Sequence, residues 1–174
     1  IMTRRISVTD KFSMAAVLDI DSSLNLPDFR AMEKAYQELS SIIDLVGPDG
    51  EVLIQTRFSG TPLFKHLRRN DYVSFAKEEL QMRKVLSYPP YAKMLKLTFT
   101  GPPEISDKII KTARSSEPEI EILGPITDKD RKGTENFSII LKSGNRKTLN
   151  DTARKVLKTF DRSKKIQIRI DVDP

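Results

Sequence analysis

Apolar positions change period along this chain, and each change marks an element. An apolar run from Met14 to Leu18, feeding Asp19 and Asp21, reads as a strand buried on both faces. After a polar turn, Pro27 opens a segment in which Phe29, Met32, Ala35, Tyr36 and Leu39 recur at helical spacing, continuing through Ile42, Ile43 and Val46. Gly47-Pro48-Asp49-Gly50 reads as a turn. Val52 and Ile54 then alternate with polar neighbours in a half-buried strand over 51–56. Thr61 stands where a cap is needed for a short helix opening at Pro62, and Asn70-Asp71 breaks and recaps the chain. The next amphipathic helix runs from Tyr72 to Leu86 and is stopped by Pro89-Pro90.

The remainder reads β-α-β-β-α-β. A strand over 93–100 places Leu95, Leu97 and Phe99 on one side, and a helix over 103–115 carries Ile105, Ile109 and Ile110. A strand over 119–123 is expected to end at Gly124-Pro125. A charged hairpin loop over 128–136 leads into a strand over 137–142. Leu149, Ala153, Val156, Leu157 and Phe160 mark a helix over 147–160, and Ile166, Ile168 and Ile170 a final strand. The expected fold class is α/β (α+β). Two helices on one face of a four-stranded antiparallel sheet make a ferredoxin-like βαββαβ domain over 91–174. Residues 1–60 form the β-loop-α part and 61–90 linking helices, with the boundary near 87–90. Residues 1–13 lack periodicity and start abruptly, as a piece of a longer chain would.

Composition narrows the function classes. Hydrophobic residues make up 38% and charged residues 31% of 174, as in a soluble globular protein. No apolar run approaches the roughly 18 residues of a membrane span, and no h-region follows the basic amino terminus. With no cysteine there is neither a disulfide framework nor a cysteine zinc site. A cytoplasmic location is the default expectation, although the absence of cysteine by itself permits any compartment. Thirty Lys and Arg against twenty-four Asp and Glu give a net charge of +6. That excess suits an anionic partner, nucleic acid before membrane.

Five blocks carry a resemblance to a known family: LDIDSSLNLPDFRAMEKAYQ from Leu18, GEVLIQT from Gly50, LSYPPY from Leu86, LGP from Leu123, and the terminal DVDP. In order and spacing they are similar to the C-terminal third of primosomal protein N′ (PriA), the bacterial replication-restart DNA helicase family. The resemblance implies the end of a helicase-type second lobe followed by a small C-terminal domain similar to a small-subunit ribosomal protein. It also implies a cytoplasmic bacterial protein that handles forked or single-stranded DNA. In the family a segment resembling QVAGRAGR follows the PDFR helix and reaches nucleotide phosphates. Here 40–47 reads SSIIDLVG, with no arginine between Arg30 and Arg57. The family's ATP and zinc sites have no counterpart in this chain, so no cofactor and no catalytic residue are expected. Binding is the expected activity.

The candidate binding residues are cations near turns. Lys142, Arg146 and Lys147 surround a turn leading into a helix N-terminus, whose free N–H groups favour anions. By resemblance, Arg146 and Asn150 match positions of a pocket for the acidic tail of single-stranded-DNA-binding protein. Lys129, Arg131 and Lys132 in the charged hairpin read either as phosphate contacts or as a solvated loop. Lys164, Lys165 and Arg169 extend a basic strip. Asp19 and Asp21 read as a carboxylate pair or as turn caps, and His66 as a lone exposed histidine. YPPY is expected to hold an extended arm at the domain junction. A structural or protein-interaction module and an RNA-binding plait are the alternatives to DNA binding.

Overall fold

The computed structural model describes residues 11–100, 104–115, 119–129, 135–159 and 167–173. Expectations for residues 1–10, Arg131, Lys132, Phe160, Lys164, Lys165 and Ile166 lie outside them. The described elements form a mixed α/β chain that divides into two units between Met82 and Arg83.

The first unit holds β1 (Phe12–Val17), α1 (Asp21–Leu24), α2 (Ala31–Ile43), β2 (Val46–Ile54), α3 (Pro62–Arg68) and most of α4 (Tyr72–Val85). β1 and β2 pair in parallel, an arrangement that needs a crossover, supplied here by α1 and α2. Ala35, Tyr36 and Leu39 on α2 meet Ile20, Leu63, Phe64, Leu67 and Phe75 in one core. β1 is not buried on both faces as expected. Met14 and Leu18 are exposed, because among the described residues the strand has a single neighbour.

Gly47-Pro48-Asp49-Gly50 is not a free turn but lies inside β2. Phe12 pairs with Val46 while Met14 pairs with Glu51, so the extra residues of β2 form a bulge. Gly50 is required there, since a Cβ would sit 2.3 Å from the Val46 side chain and 2.8 Å from the Ser13 carbonyl oxygen. α2 starts at Ala31 rather than Pro27. The Asp28 carboxylate accepts the Arg30 N–H at 2.8 Å, holding a turn ahead of the helix. Thr61 occupies the N-cap of α3, yet its hydroxyl donates to the Phe58 carbonyl at 2.7 Å instead of capping.

α3 and α4 end alike. Asn70 and Ser87 each take a left-handed φ, 50° and 51°. Bonds from Asn70 N–H to Leu67 O, and from Asp71 N–H to His66 O, complete a Schellman motif. Ser87 N–H to Lys84 O and Tyr88 N–H to Arg83 O repeat it on α4. That motif, rather than the prolines, stops the helix. Pro89-Pro90 is cis, and Tyr91 N–H bonds Tyr88 O at 2.9 Å, so YPPY makes a tight turn and not an extended arm.

The second unit adds β3 (Lys93–Thr100), α5 (Glu104–Arg114), β4 (Glu121–Lys129), β5 (Glu135–Ser143), α6 (Arg146–Thr159) and β6 (Gln167–Val172). The sheet order is β4-β5-β3-β6, every pair antiparallel. Leu95, Leu97 and Phe99 alternate on β3 and face Phe137, Ile139 and Leu141 of β5. Ile109 and Ala113 of α5 and Leu149, Ala153 and Val156 of α6 close the same core, so both helices lie on one face. β4 does not end at Gly124-Pro125 but bulges through it. A Cβ on Gly124, whose φ is +105°, would sit 2.9 Å from the Ser138 carbonyl oxygen.

Candidate functional site

The turn after β5 differs from the anion site that its cations promise. Antiparallel register puts Lys142 beside Met94 and Glu121 on the face away from the helices. Its side chain is buried nonetheless. Nζ donates to the Leu86 carbonyl at 3.0 Å, lies 2.8 Å from Glu121 Oε2, and sits 5.0 Å from the centroid of the Tyr88 ring. Lys142 is thus a fastening for the 86–88 segment, not a surface cation.

The helix N-terminus is also occupied. Asn145 Oδ1 accepts the Lys147 N–H at 2.8 Å and the Thr148 N–H at 3.5 Å, a side-chain N-cap. Two of the donors expected for an anion are thus taken by the chain itself. Arg146, Lys147 and Asn150 are exposed. Lys129 ends β4, and its side chain, like Arg131 and Lys132, lies outside the described residues. Arg169 is exposed on β6.

What the structure assembles instead is a stripe along α6. With Leu149, Ala153 and Val156 in the core, helical spacing turns Arg146, Lys147, Arg154, Lys155 and Lys158 outward, and all five are exposed. Arg154 lies 3.4 Å from Asp151, an exposed pair that leaves the guanidinium open to other anions. α5 packs beside α6 and exposes Lys108, Lys111 and Arg114. Arg154, Lys155 and Lys158 are not among the cations near turns, and their signal in the sequence is their spacing opposite the apolar positions of the helix. From Arg146 to Lys158 the helix rises about 18 Å, enough to follow several phosphates of a nucleic-acid backbone.

The carboxylates of the first unit are structural. Asp19 accepts the Ser22 N–H at 3.2 Å and hydroxyl at 2.5 Å, holding the turn that enters α1. Asp21 is buried and accepts Thr56 Oγ1 at 2.5 Å, the Arg57 N–H at 3.0 Å and Arg57 Nε at 3.2 Å. The Thr56 hydrogen bond, then those from Arg57, hold its pKa below the ordinary 3.8. Asp71, bonded by Ser74, is lowered in the same way. His66 is buried, not exposed; its Nε2 lies 3.0 Å from Glu78 Oε2 and its ring meets Phe75 edge-on. Among the described residues no three His, Asp or Glu side chains are placed to hold a metal ion.

A pH dependence follows. With folded pKa values below their unfolded ones, Asp21 and Asp71 contribute stability that is complete above the unfolded value and lost as pH falls through the folded one. Thermal melts from about pH 5 to about pH 3 should show a falling midpoint. Asp21→Asn should flatten that decline; an identical decline in the variant would remove Asp21 from the account.

Residues 84–174 match the family model of the primosomal protein N C-terminal domain, more than half of the chain. The chain belongs to that family. Replication restart protein PriA of Borreliella burgdorferi is 30% identical over 91% of this chain and 26% of its own length. PriA of Chlamydia trachomatis is 29% identical, covering 93% and 23% respectively. PriA of Bacillus subtilis is 27% identical, covering 93% and 22%. The chain spans about a quarter of the length of these relatives.

The blocks carrying the PriA resemblance in the second unit are structural fastenings. YPPY is the cis-proline turn and LGP the β4 bulge. In DVDP, Asp173 Oδ1 accepts the Met94 N–H while its own N–H bonds Met94 O, both at 2.9 Å. No helix among the described residues is long and apolar enough to cross a membrane.

Proposed function

We propose that this chain is the DNA- and partner-binding portion of a replication-restart protein of the PriA type, and that its own residues bind without catalysing. The observation that carries the reading is the outward face of α6, where five exposed cations stand against one acid, Asp151, with Lys108, Lys111 and Arg114 of α5 on the same side of the sheet. Such a surface binds through phosphates, with little base readout and strong salt dependence. We read the second unit as a ferredoxin-like plait, which its strand order supports, and the first as the end of a helicase-type second lobe. A cytoplasmic, bacterial setting belongs to the same proposal.

An acidic peptide, such as the tail of single-stranded-DNA-binding protein, would compete for Arg146 and Asn150, which stand one turn apart on α6. Base-stacking RNA recognition on the open sheet face is the weaker reading. The aromatic side chains of β3 and β5, Phe99 and Phe137, stack on each other at 5.8 Å in the core beneath the helices. Single-strand readers use exposed rings there.

The test is fluorescence anisotropy with a labelled DNA fork at low salt. Arg146→Glu combined with Lys147→Glu should weaken binding roughly tenfold, about 1.4 kcal/mol, with the melting midpoint nearly unchanged. Equal affinity in the double variant would remove α6 from the interface. Tighter binding of a structured RNA than of the fork would favour the plait as an RNA module.

A further inference from the structure

A second site lies in the first unit, remote in sequence from α6. A cleft of about 290 Å³ is lined by Tyr36, Gln37, Ser40 and Ser41 of α2, by Asn70 in the α3–α4 turn, and by Tyr72 at the start of α4. Its size is at the lower end of small-molecule sites, roughly 300–1,000 Å³. Tyr36 is only 3% exposed, and its hydroxyl is buried without a hydrogen-bond partner. A buried hydroxyl without a partner is a standing cost unless something supplies one.

The lining restricts the occupant's chemistry. None of the six side chains carries a charge, so a phosphate or carboxylate would leave water without a counter-charge. Burial, with the negative charge of Asp71 and neighbouring Tyr72 assisting, raises the Tyr36 pKa. The phenol therefore stays a neutral donor. Gln37 and Asn70 offer amides with a donor and an acceptor each, the pattern that pairs with the edge of a planar heterocycle. Ser41 already donates to the Gln37 carbonyl at 2.8 Å, which leaves its oxygen as an acceptor. Tyr72, 46% exposed, is tilted against Tyr36 at 5.4 Å between ring centroids and presents a partly open ring to a flat ligand.

We propose that this cleft binds a nucleobase, taken either from an unpaired nucleotide of a strand or from a free nucleoside. Tyr36 donates to an acceptor on the base edge, the Gln37 and Asn70 amides complete the edge, and Tyr72 takes the face. The site lies on residues 36–41 of α2, the α3–α4 turn and the start of α4. It stands independently of phosphate binding by α6, because the probes can lack phosphate.

Saturation-transfer NMR with the four deoxynucleosides and with inorganic phosphate, on the full chain, tests it. Millimolar binding of at least one nucleoside is expected, with no phosphate signal. Tyr36→Phe, which removes only the unpartnered hydroxyl and leaves the core packing, should weaken binding roughly tenfold without lowering the melting midpoint. Tyr72→Ala should weaken it as well, and being half exposed should fold. A single-stranded oligonucleotide that loses affinity when one nucleotide is made abasic assigns the base to a strand; equal affinity assigns the cleft to free nucleosides. No nucleoside signal, binding indifferent to Tyr36→Phe, or preference for N-acetylasparagine amide over every nucleoside would overturn the proposal, the last in favour of a peptide side chain.

Discussion

Replacing Phe99 with alanine is expected to destabilise the second unit by about 3–5 kcal/mol. Phe99 is fully buried near the C-terminal end of β3, pairs in register with Phe137 and stacks on it at 18° between ring planes. Around it, Leu97, Ile109, Ile139 and Val156 are equally inaccessible. Removing the ring therefore leaves a cavity bounded by two strands and both helices, which close-packed neighbours cannot collapse to fill. A domain of this size has about 5–15 kcal/mol in total, so the loss should appear as a large drop in the urea midpoint with an unchanged slope. Val172→Ala is the control. It lies on edge strand β6 and is 57% exposed, and it should fall within about 0.5 kcal/mol of the parent.

Replacing Lys142 with alanine should cost about 2 kcal/mol, for reasons unrelated to any ligand. The Leu86 carbonyl loses its donor, the Tyr88 ring loses the cation above it, and Glu121 loses its partner. Glu121 is half exposed and returns to water, so the 3–5 kcal/mol of a fully buried broken pair is not reached. Lys142→Met keeps the aliphatic stem against Tyr88 and should recover part of the loss. Fork affinity of either variant, measured below its melting range, should equal that of the parent. A Lys142→Ala chain with full stability and reduced fork affinity would restore the sequence-based reading of this residue as a phosphate contact.

The contrast between these residues shows which parts of the chain were legible. Leu95, Leu97 and Phe99 alternate strictly, and both helices over that sheet carry apolar residues at helical spacing, so period alone located β3, α5 and α6. Lys142 follows the same alternation, which places it away from the core. Only the long-range return of Leu86 and Tyr88 buries it, and no local pattern encodes that. Gly47–Gly50 and Gly124-Pro125 have the composition of turns, yet each lies in a strand bulge, because composition reports backbone freedom and not pairing. His66 sits among cations in sequence, but helical geometry turns it under α4 toward Phe75 and Glu78. At the candidate site, the cation spacing of α6 was present in the sequence. Hidden from it was Asn145, whose side chain satisfies the helix N-terminus and moves the favourable surface from the turn to the length of the helix.

The most direct measurement is the affinity of the chain for a labelled DNA fork as a function of salt. Binding by a stripe of phosphate contacts predicts that log K falls linearly with log salt, with a slope of about −0.9 for each phosphate neutralised on duplex DNA. With three to five of the α6 cations engaged, the slope should lie between about −2.7 and about −4.5. Charge reversal at Arg146 and Lys147 should make it shallower. Binding with a slope near zero, or no binding at low salt, would contradict the account and leave α6 a solvated helix on a protein-docking domain.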